Sequence, residues 1–267
     1  MDVLLIGYGA IAQEVLKHIR PGEDANIAAI LVRPARVDDV RAAVAGREIE
    51  VVSSFDELTC APRLVAECAG HAGVRDYGAD ALRRGMDFLV ISIGVLADSA
   101  LYADLVQAAQ DGRAKLVLAA GAVAGADALA AARVGGLTGV TYTSRKPPGA
   151  WKGTPAEDVC DLDAVTAETT LYQGKADEAA TRYPQNANVA ATLALAGAGF
   201  ANTDVRLVAD PAAGGNIHQV RAEGAFGAFD IEIRGKPLPD NPKTSTLAAH
   251  SVVAEIRRRA GPVEIGG

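Results

Sequence analysis

The first 120 residues alternate between short apolar runs and stretches in which apolar residues recur every three or four positions. The apolar runs cover residues 1–6, 27–32, 49–52, 64–69, 88–93 and 116–118. Helical spacing is found at residues 10–19, 74–84 and 100–110, and Pro21-Gly22 follows the first of these. Buried strands that alternate with helices are typical of a doubly wound parallel sheet. We therefore predict an α/β domain over this part of the chain.

The pattern changes beyond about residue 123. Runs richer in alternating and β-branched residues cover 140–143, 164–172, 205–208, 217–222 and 228–233, as expected for a mainly antiparallel sheet with one covered face. An alanine-rich helix is predicted at 187–199, after Pro184-Gln185-Asn186, and a last helix at 244–259. The sequence thus predicts two domains, 1–122 and a smaller α+β domain at 123–240, with the C-terminal helical segment 241–267 packing back onto the first.

A glycine motif follows the first predicted strand directly. It reads Gly7-Tyr8-Gly9-Ala10-Ile11-Ala12 and begins a helix. In the Gly-x-Gly-x-x-Ala pattern of Rossmann-type domains, the first glycine permits the tight turn, the second lets the backbone approach a pyrophosphate, and the small third residue allows close packing. Phosphates then lie at the positive end of the helix dipole. A plain glycine turn is the alternative, but the position favours a dinucleotide site formed by Gly7, Gly9, Ala10 and Ile11.

Further candidates for this site come from later turns. The carboxyl ends of parallel strands meet at one edge of a doubly wound sheet, so the turns after Ile6, Ala69 and Ile93 should line one crevice. The second of these turns contains Ala69, Gly70 and His71. We expect these three residues to lie against the cofactor.

The residue at the end of the second strand bears on the choice of dinucleotide. An Asp or Glu about 20 residues past the glycine motif usually binds the ribose 2′-hydroxyl of NAD. This chain has Arg33 there, which can pair with a 2′-phosphate but cannot accept a hydrogen bond from a hydroxyl. A solvated Arg33, or one stacked on the adenine, is the alternative, so the prediction is NAD or NADP.

Composition limits the classes of partner. The chain has a formal net charge of −7, 49% hydrophobic and 22% charged residues, so no basic face is available to displace the counterions of a nucleic acid. We find no leader peptide and no apolar run of membrane-spanning length. Cys60, Cys68 and Cys160 are odd in number and lack zinc-site or disulfide spacing. These features predict a cytoplasmic protein with reduced thiols and a small-molecule partner.

His218 is the main candidate for proton transfer. It lies in Gly214-Gly215-Asn216-Ile217-His218, where a glycine turn precedes a predicted strand, and an imidazole titrates near neutral pH. A hydrogen-bonded strand histidine without a catalytic role is the alternative. His18 and His250 fall inside predicted helices, where surface or packing roles are expected. No cluster has the spacing of metal ligands, so we expect no metal.

Two further segments of the second half carry polar candidates. Arg145 and Lys146 lie beside Thr143 and Ser144 and before two prolines, which predicts two cations on a stiffened loop that could bind a small dicarboxylate. A solvated basic loop is the alternative. Asn188 opens the alanine-rich helix, where it could cap the helix or present its amide to a nicotinamide.

Taken together, several motifs resemble those of the L-aspartate dehydrogenase family, over nearly the whole chain. The motifs are Gly7-Tyr-Gly9-Ala-Ile-Ala12, Glu67-Cys-Ala-Gly70-His71, Ala120-Gly-Ala122-Val-Ala-Gly125, Tyr183-Pro-Gln-Asn-Ala-Asn188-Val-Ala, Gly215-Asn-Ile-His218 and Asn241-Pro-Lys-Thr-Ser245. The glycine motif is shared by many dehydrogenases, whereas the segments around Asn188 and His218 are more specific in combination.

The resemblance implies oxidative deamination of L-aspartate with NAD(P)+, giving iminoaspartate and then oxaloacetate and ammonia, or the reverse amination. Iminoaspartate also feeds NAD biosynthesis. By the same resemblance His218 is the catalytic histidine, Asn188 contacts the cofactor, and a second cofactor contact is Ala122 or Ala124. The residues expected at the substrate are Arg145, Lys146, Asn216 and Thr244.

Two other readings stay open at this stage. One is another two-domain NAD(P) reductase, acting on dihydrodipicolinate or homoserine-like substrates, and the other is a sensor that binds NAD(P) without catalysis. The β-rich second domain offers a sheet edge through which a homodimer could form.

Overall fold

The computed structural model describes residues 1–20, 22–184, 187–239 and 241–263. Pro21, Gln185, Asn186, Asp240 and the last four residues of the predicted segment 241–267 lie outside these ranges. The chain forms two compact units. The first contains Met1–Ser92, Asp98–Ala119 and the C-terminal segment from Ala248, and the second contains Ile93–Ala97 and Ala120–Leu247.

The first unit is built on a six-stranded sheet in which every neighbouring pair is parallel. Its strands are β1 (Asp2–Ile6), β2 (Asn26–Leu31), β3 (Glu50–Val52), β4 (Leu64–Glu67), β5 (Asp87–Val90) and β6 (Leu116–Leu118). Their order is β3-β2-β1-β4-β5-β6. This order places a topological switch point between β1 and β4, where ligands bind in open α/β sheets.

Four helices follow strands of this sheet: α1 (Ala10–His18), α2 (Val37–Ala43), α3 (His71–Arg83) and α4 (Ser99–Gly112). Helix α1 buries Ala12, Val15 and Leu16 in the core of the unit. These residues have the spacing that places them on one helical face, which explains why the helix lies along the sheet.

The second unit is built on a five-stranded sheet. Its strands are β7 (Leu137–Lys146), β8 (Thr169–Lys175), β9 (Thr203–Ala209), β10 (Asn216–Gly224) and β11 (Gly227–Gly235), in the order β11-β10-β7-β9-β8. All its neighbouring pairs are antiparallel except β7 and β9. Its helices are α5 (Ala126–Val134), α6 (Ala176–Arg182) and α7 (Ala187–Ala196).

One face of this second sheet is covered and the other is polar. Tyr142, Trp151 and Tyr183 are fully buried in the core with the small residues of α7. Alternation along β7 and β10 sends Tyr142 and His218 to the core side and Thr143 and Gln219 to the opposite side. A side chain on this sheet is therefore either in the core or on the polar face.

A short ribbon of β12 (Pro237–Leu238) and β13 (Asn241–Ser245) precedes the last helix, α8 (Thr246–Ala260). Val252, Val253 and Ile256 of α8 are buried in the core of the first unit. No helix of the described ranges combines the length and apolar character needed to cross a membrane.

The predicted fold class is confirmed, and most strands lie within a few residues of their predicted positions. Helices α2, α5 and α6 were not predicted. The prediction that Arg145 and Lys146 lie on a loop is wrong: β7 continues to Lys146, since it pairs with β9 as far as that residue. The last helix begins at Thr246 rather than Thr244, because residues 241–245 pair in the ribbon.

Candidate active site

A cavity of about 440 Å³ lies in the first unit at the carboxyl ends of β1, β2 and β4. Four of the predicted cofactor residues line it, namely Gly7, Gly9, Arg33 and Ala69. Ala72, Gly73, Asp76 and Tyr77 contribute from α3. The cavity therefore occupies the position in which the strand order predicts a dinucleotide.

The turn at Gly7 requires glycine. Its φ is +91°, and a Cβ atom there would lie 3.0 Å from both the Ala69 Cβ and the Cys68 carbonyl oxygen. The next glycine, Gly9, is the N-cap of α1 and brings the N-terminus of that helix to the cavity. A glycine turn that ends at a helix N-terminus fits the pyrophosphate of NAD(P).

Glu67, the last residue of β4, stabilises the backbone turn at Ala69 and Gly70, which borders the cavity. Its Oε1 accepts hydrogen bonds from the Ala69 and Gly70 N–H groups at 2.7 and 2.6 Å, and its Oε2 accepts from the Ser92 N–H at 3.0 Å. Burial raises the pKa of Glu67, while these N–H groups act in the opposite direction. No role was predicted for Glu67, although a carboxylate at the end of a buried strand is the signal that could have identified it.

Two arginines line the cavity where β2 ends. Arg33 was expected there, and Arg36, which was not, lies one helical turn further on. Arg36 also forms a 3.6 Å ion pair with the exposed Asp39. Paired guanidinium groups at this edge match the charge of a 2′-phosphate.

The remaining predicted residues of the first unit flank these turns. Ala10 and Ile11 are the first residues of α1, Gly70 is the N-cap of α3 with φ +83°, and His71 is the first residue of α3. The N-termini of α1 and α3 thus follow the two turns that border the cavity.

His218 lies in the second unit, on the core side of β10, and is only 5% exposed. Its Nδ1 is 2.8 Å from the hydroxyl of Tyr142, and the two rings are stacked with centroids 6.0 Å apart. Burial, and next the charge of Lys146, lower the pKa of His218 to about 4. At neutral pH the imidazole is therefore unprotonated and can accept a proton.

Lys146 is the last residue of β7 and lies on the same side of the sheet as Tyr142. After burial, its positive charge is the second cause of the lowered pKa of His218. Its Nζ lies 4.8 Å from the centre of the Trp151 ring, a cation–π distance. Burial lowers the pKa of Lys146 to about 8. A cation and a neutral base thus lie together in the second unit at neutral pH.

Arg145 is separated from this pair. It follows the alternation of β7 to the other face of the sheet, where its Nη1 binds Glu168 Oε2 at 3.0 Å and lies 3.9 Å from Asp210 Oδ2. A guanidinium already paired with carboxylates is not positioned to bind a substrate beside His218. We therefore do not retain Arg145 among the substrate residues.

Asn188 lies in α7, where its Oδ1 accepts a hydrogen bond from the Gly94 N–H at 2.8 Å. A Cβ atom on Gly94 would lie 2.9 Å from that oxygen, so only glycine allows this approach. The contact fixes the orientation of the Asn188 amide, whose NH₂ group is the part that can donate to a ligand. Ala122 and Ala124 lie in the segment before α5, in the same unit.

Three more polar residues of this unit lie at the start of β10 or in β13. Asn216 is the first residue of β10 and pairs with Gly235. Ser245, in β13, has a buried hydroxyl with no hydrogen-bond partner among the described residues, and a Cβ on Gly235 would lie 3.9 Å from it. The predicted Thr244 is its neighbour in β13 and is half-buried. Ser245 was missed because its burial depends on the ribbon.

Two family models match successive parts of the chain. A family model described as the NAD binding domain of homoserine dehydrogenase matches residues 7–119, and a model described as the C-terminal domain of aspartate dehydrogenase matches residues 127–259. The chain is 48% identical to L-aspartate dehydrogenase of Ralstonia nicotianae, with 99% of this chain and 100% of that protein aligned. It is 46% identical to L-aspartate dehydrogenase of a Polaromonas species, with 97% of each covered.

A solved structure shows the same likeness. Aspartate dehydrogenase from Thermotoga maritima superposes with a TM-score of 0.77 at 25% identity, covering 100% of this chain and 99% of that one. The chain belongs to the aspartate dehydrogenase family.

Proposed function

We propose that the protein is an NAD(P)-dependent L-aspartate dehydrogenase that converts L-aspartate to iminoaspartate and then to oxaloacetate and ammonia, in a reversible reaction. The observation that carries the proposal is the buried, neutral His218 beside a cation, Lys146, in the unit where the chain matches this family. Removal of hydride from an amino acid requires the loss of a proton from nitrogen, and a dicarboxylate requires a cation.

His218 is the general base of this reaction. With the Tyr142 oxygen as acceptor, Nδ1 carries the imidazole proton and the Nε2 lone pair is available to the substrate. His218 takes a proton from the aspartate ammonium, which leaves a neutral amine. After that proton is released to solvent, the neutral imidazole accepts a proton from the water that attacks the imine and returns it to the nitrogen that departs as ammonia.

Lys146 binds a substrate carboxylate. A charge-assisted hydrogen bond to a carboxylate is about twice as strong as a neutral one, and the buried position of Lys146 strengthens it further. Because the charge of Lys146 depresses the pKa of His218, a bound carboxylate that neutralises that charge makes His218 a stronger base. The polar groups we assign to the remaining substrate contacts are Asn216, Thr244 and the Ser245 hydroxyl, which has no hydrogen-bond partner among the described residues.

The first unit supplies the cofactor site. Gly7, Gly9, Ala10 and Ile11 receive the pyrophosphate, Arg33 with Arg36 receives the 2′-phosphate of NADP, and Ala69, Gly70 and His71 form the adjoining turn. In the second unit Asn188 and the segment with Ala122 and Ala124 are assigned to the nicotinamide end. When bound, the nicotinamide accepts the hydride that leaves the Cα atom of aspartate.

This assignment corresponds to a cofactor domain at 1–122 and a substrate domain at 123–240; of the predicted segment 241–267, the helix from Ala248 belongs to the first unit, whereas residues 241–247 belong to the second. It is supported by the two family models, which match 7–119 and 127–259. We also place the protein in the cytoplasm, which agrees with the free thiols of Cys60, Cys68 and Cys160.

The test is a substrate panel with the purified protein. NAD+ or NADP+ is mixed in turn with L-aspartate, D-aspartate, L-glutamate, L-homoserine and L-malate, and the absorbance of the reduced cofactor is followed. We expect reduction with L-aspartate and little or none with the others. Turnover of homoserine in preference to aspartate would contradict the proposal, and cofactor binding with no turnover of any compound would indicate a sensor.

The quaternary state we propose is a homodimer formed through the sheet of the second unit. Strand β11 is an edge of that sheet, and Phe226 beside it is 44% exposed. An edge strand with an exposed aromatic residue is suited to association with a second copy. Sedimentation equilibrium should give twice the chain mass, and a single monomeric species at micromolar concentration would reject the dimer.

A further inference from the structure

Glu14, His18 and His250 form a cluster in the first unit that the proposed reaction does not use. Glu14 and His18 are one helical turn apart on α1, and His250 comes from α8. Oε1 of Glu14 lies 3.0 Å from Nε2 of His18 and 3.4 Å from Nε2 of His250. One nitrogen or oxygen atom of each side chain lies within 4.8 Å of the corresponding atoms of the other two.

We propose that these three side chains bind a divalent transition-metal ion of the zinc type. Two imidazoles and one carboxylate are a donor set that Zn²⁺ uses, with a water in the fourth position. Ligand atoms about 2.0–2.1 Å from a tetrahedral ion are about 3.3–3.4 Å from each other, and the spacings of 3.0 and 3.4 Å are close to this value. Mg²⁺ and Ca²⁺ prefer oxygen ligands and are not expected here.

The arrangement of the two imidazole rings allows both to bind the same ion. The two imidazoles meet edge to face, with centroids 5.1 Å apart and planes at 82°, and both direct Nε2 to the same carboxylate oxygen. Their side chains are 43% and 45% exposed, whereas Glu14 is 12% exposed. An ion can therefore enter from solvent and retain a water ligand, while the carboxylate is held in place.

Lys17 bears on the strength of the site. Its Nζ lies 3.0 Å from Oε2, the other oxygen of Glu14. The ammonium of Lys17 beside this carboxylate opposes a second positive charge. We accordingly expect micromolar rather than tighter affinity.

A bound ion would stabilise the fold and would not take part in hydride transfer. His18 ends α1, about 12 Å along the helix from Ala10 at the cofactor cavity. Glu14 and His250 are 236 residues apart in the chain, so the ion would join the first helix to the last. Because such a site does not exist in the unfolded chain, binding stabilises the folded state.

The experiment uses the full-length protein, freed of metal with EDTA and dialysed. Zn²⁺ binding is measured by calorimetry, and Co²⁺ is added separately because its visible spectrum reports the ligands. We expect one ion per chain and a Co²⁺ spectrum of low coordination number. His18→Ala, His250→Ala and Glu14→Gln should each weaken Zn²⁺ binding at least about tenfold, while His71→Ala, which removes a histidine of the same unit outside the cluster, should not.

Thermal unfolding gives a second readout. A Zn²⁺ concentration 100 times the dissociation constant should raise the Tm of the parent protein by about 5–10 °C, and should leave that of His250→Ala unchanged. Glu14→Gln keeps the shape of the side chain, so circular dichroism should show it folded even if another variant is not. Failure to bind Zn²⁺ at 100 µM, or binding that survives all three substitutions, would overturn the proposal and leave a hydrogen-bonded contact between the helices.

Discussion

The Tyr142 hydroxyl lies 2.8 Å from Nδ1 of His218, between neighbouring strands in the core of the second unit. Tyr142 is fully buried, and this burial raises its pKa well above the ordinary value. The phenol therefore stays neutral throughout the working pH range. It can accept the Nδ1 proton and so direct the basic Nε2 to the substrate.

Tyr142→Phe should consequently lower kcat while leaving the substrate and cofactor sites intact. Loss of one hydrogen bond of about 1–1.4 kcal/mol predicts a fall of about 5- to 10-fold in kcat, with the KM for aspartate changed less than about twofold. Tyr172→Phe is the matched control, because its hydroxyl bonds the Lys175 carbonyl oxygen and Glu178 instead. Equal losses of kcat in both variants would mean that Tyr142 acts only through stability.

Substitution of the base itself should be far more severe. His218→Asn removes the group that accepts the proton, and we expect kcat to fall about 100- to 10,000-fold. Binding of NAD(P)+ should be retained, since the glycine turns and arginines lie in the first unit. Gln219→Asn is the control in the same strand, because Gln219 points to the other face and bonds Glu232. Near-normal kcat in His218→Asn would refute the role of this residue.

Lys146 predicts a specific pH dependence. Its pKa is lowered to about 8 by burial, so its charge is present below pH 8 and lost above it. Succinate, a dicarboxylate with no titrating amine in this range, should inhibit with a constant that is flat near pH 7 and rises up to about tenfold per unit above pH 8. Measurement of this inhibition constant from pH 6.5 to 9.5 avoids the titration of aspartate itself.

Two variants distinguish the titration of Lys146 from a general weakening of succinate binding at alkaline pH. Lys146→Arg keeps the charge at all these pH values and should flatten the profile, whereas Lys175→Met removes a surface lysine paired with Asp204 and should leave it unchanged. An inhibition constant that rises equally in the parent and in Lys146→Arg would show that Lys146 does not bind the carboxylate.

Arg33 predicts the cofactor preference. If Arg33 and Arg36 hold the 2′-phosphate, Arg33→Asp should weaken NADP+ binding about 10- to 100-fold and leave NAD+ binding unchanged or improved, because a charge-assisted bond is replaced by repulsion. Dissociation constants for both cofactors are measured by fluorescence titration. Arg41→Asp, which removes a cation of α2 paired with Asp38, is the control. An unchanged ratio of the two constants would assign Arg33 to solvent or to the adenine.

The sequence predicted those features that are encoded locally. The alternation of apolar runs and the Gly7-Tyr8-Gly9 turn each depend on a few adjacent residues, and both specified the first sheet and its cofactor edge. The contact of Tyr142 with His218 spans 76 residues and depends on the pairing of β7 with β10. Likewise, Arg145 and Lys146 are adjacent in the chain, but only the extension of β7 decides that they lie on opposite faces.

We expect substitution of Glu67 to lower both the stability of the protein and its affinity for the cofactor. Glu67→Gln replaces one carboxylate oxygen with an NH₂ group, which leaves a buried backbone N–H without an acceptor at a cost of about 1–3 kcal/mol. The Tm should fall by about 2–10 °C, and NAD(P)+ affinity should fall with it, because the turn held by Glu67 borders the cavity. Glu57→Gln is the control, because Glu57 is an exposed carboxylate that accepts a hydrogen bond from the Ser53 N–H. It should change the Tm and the NAD(P)+ affinity far less. If Glu67→Gln lowers the Tm but leaves cofactor affinity intact, the carboxylate supports the fold without shaping the cavity.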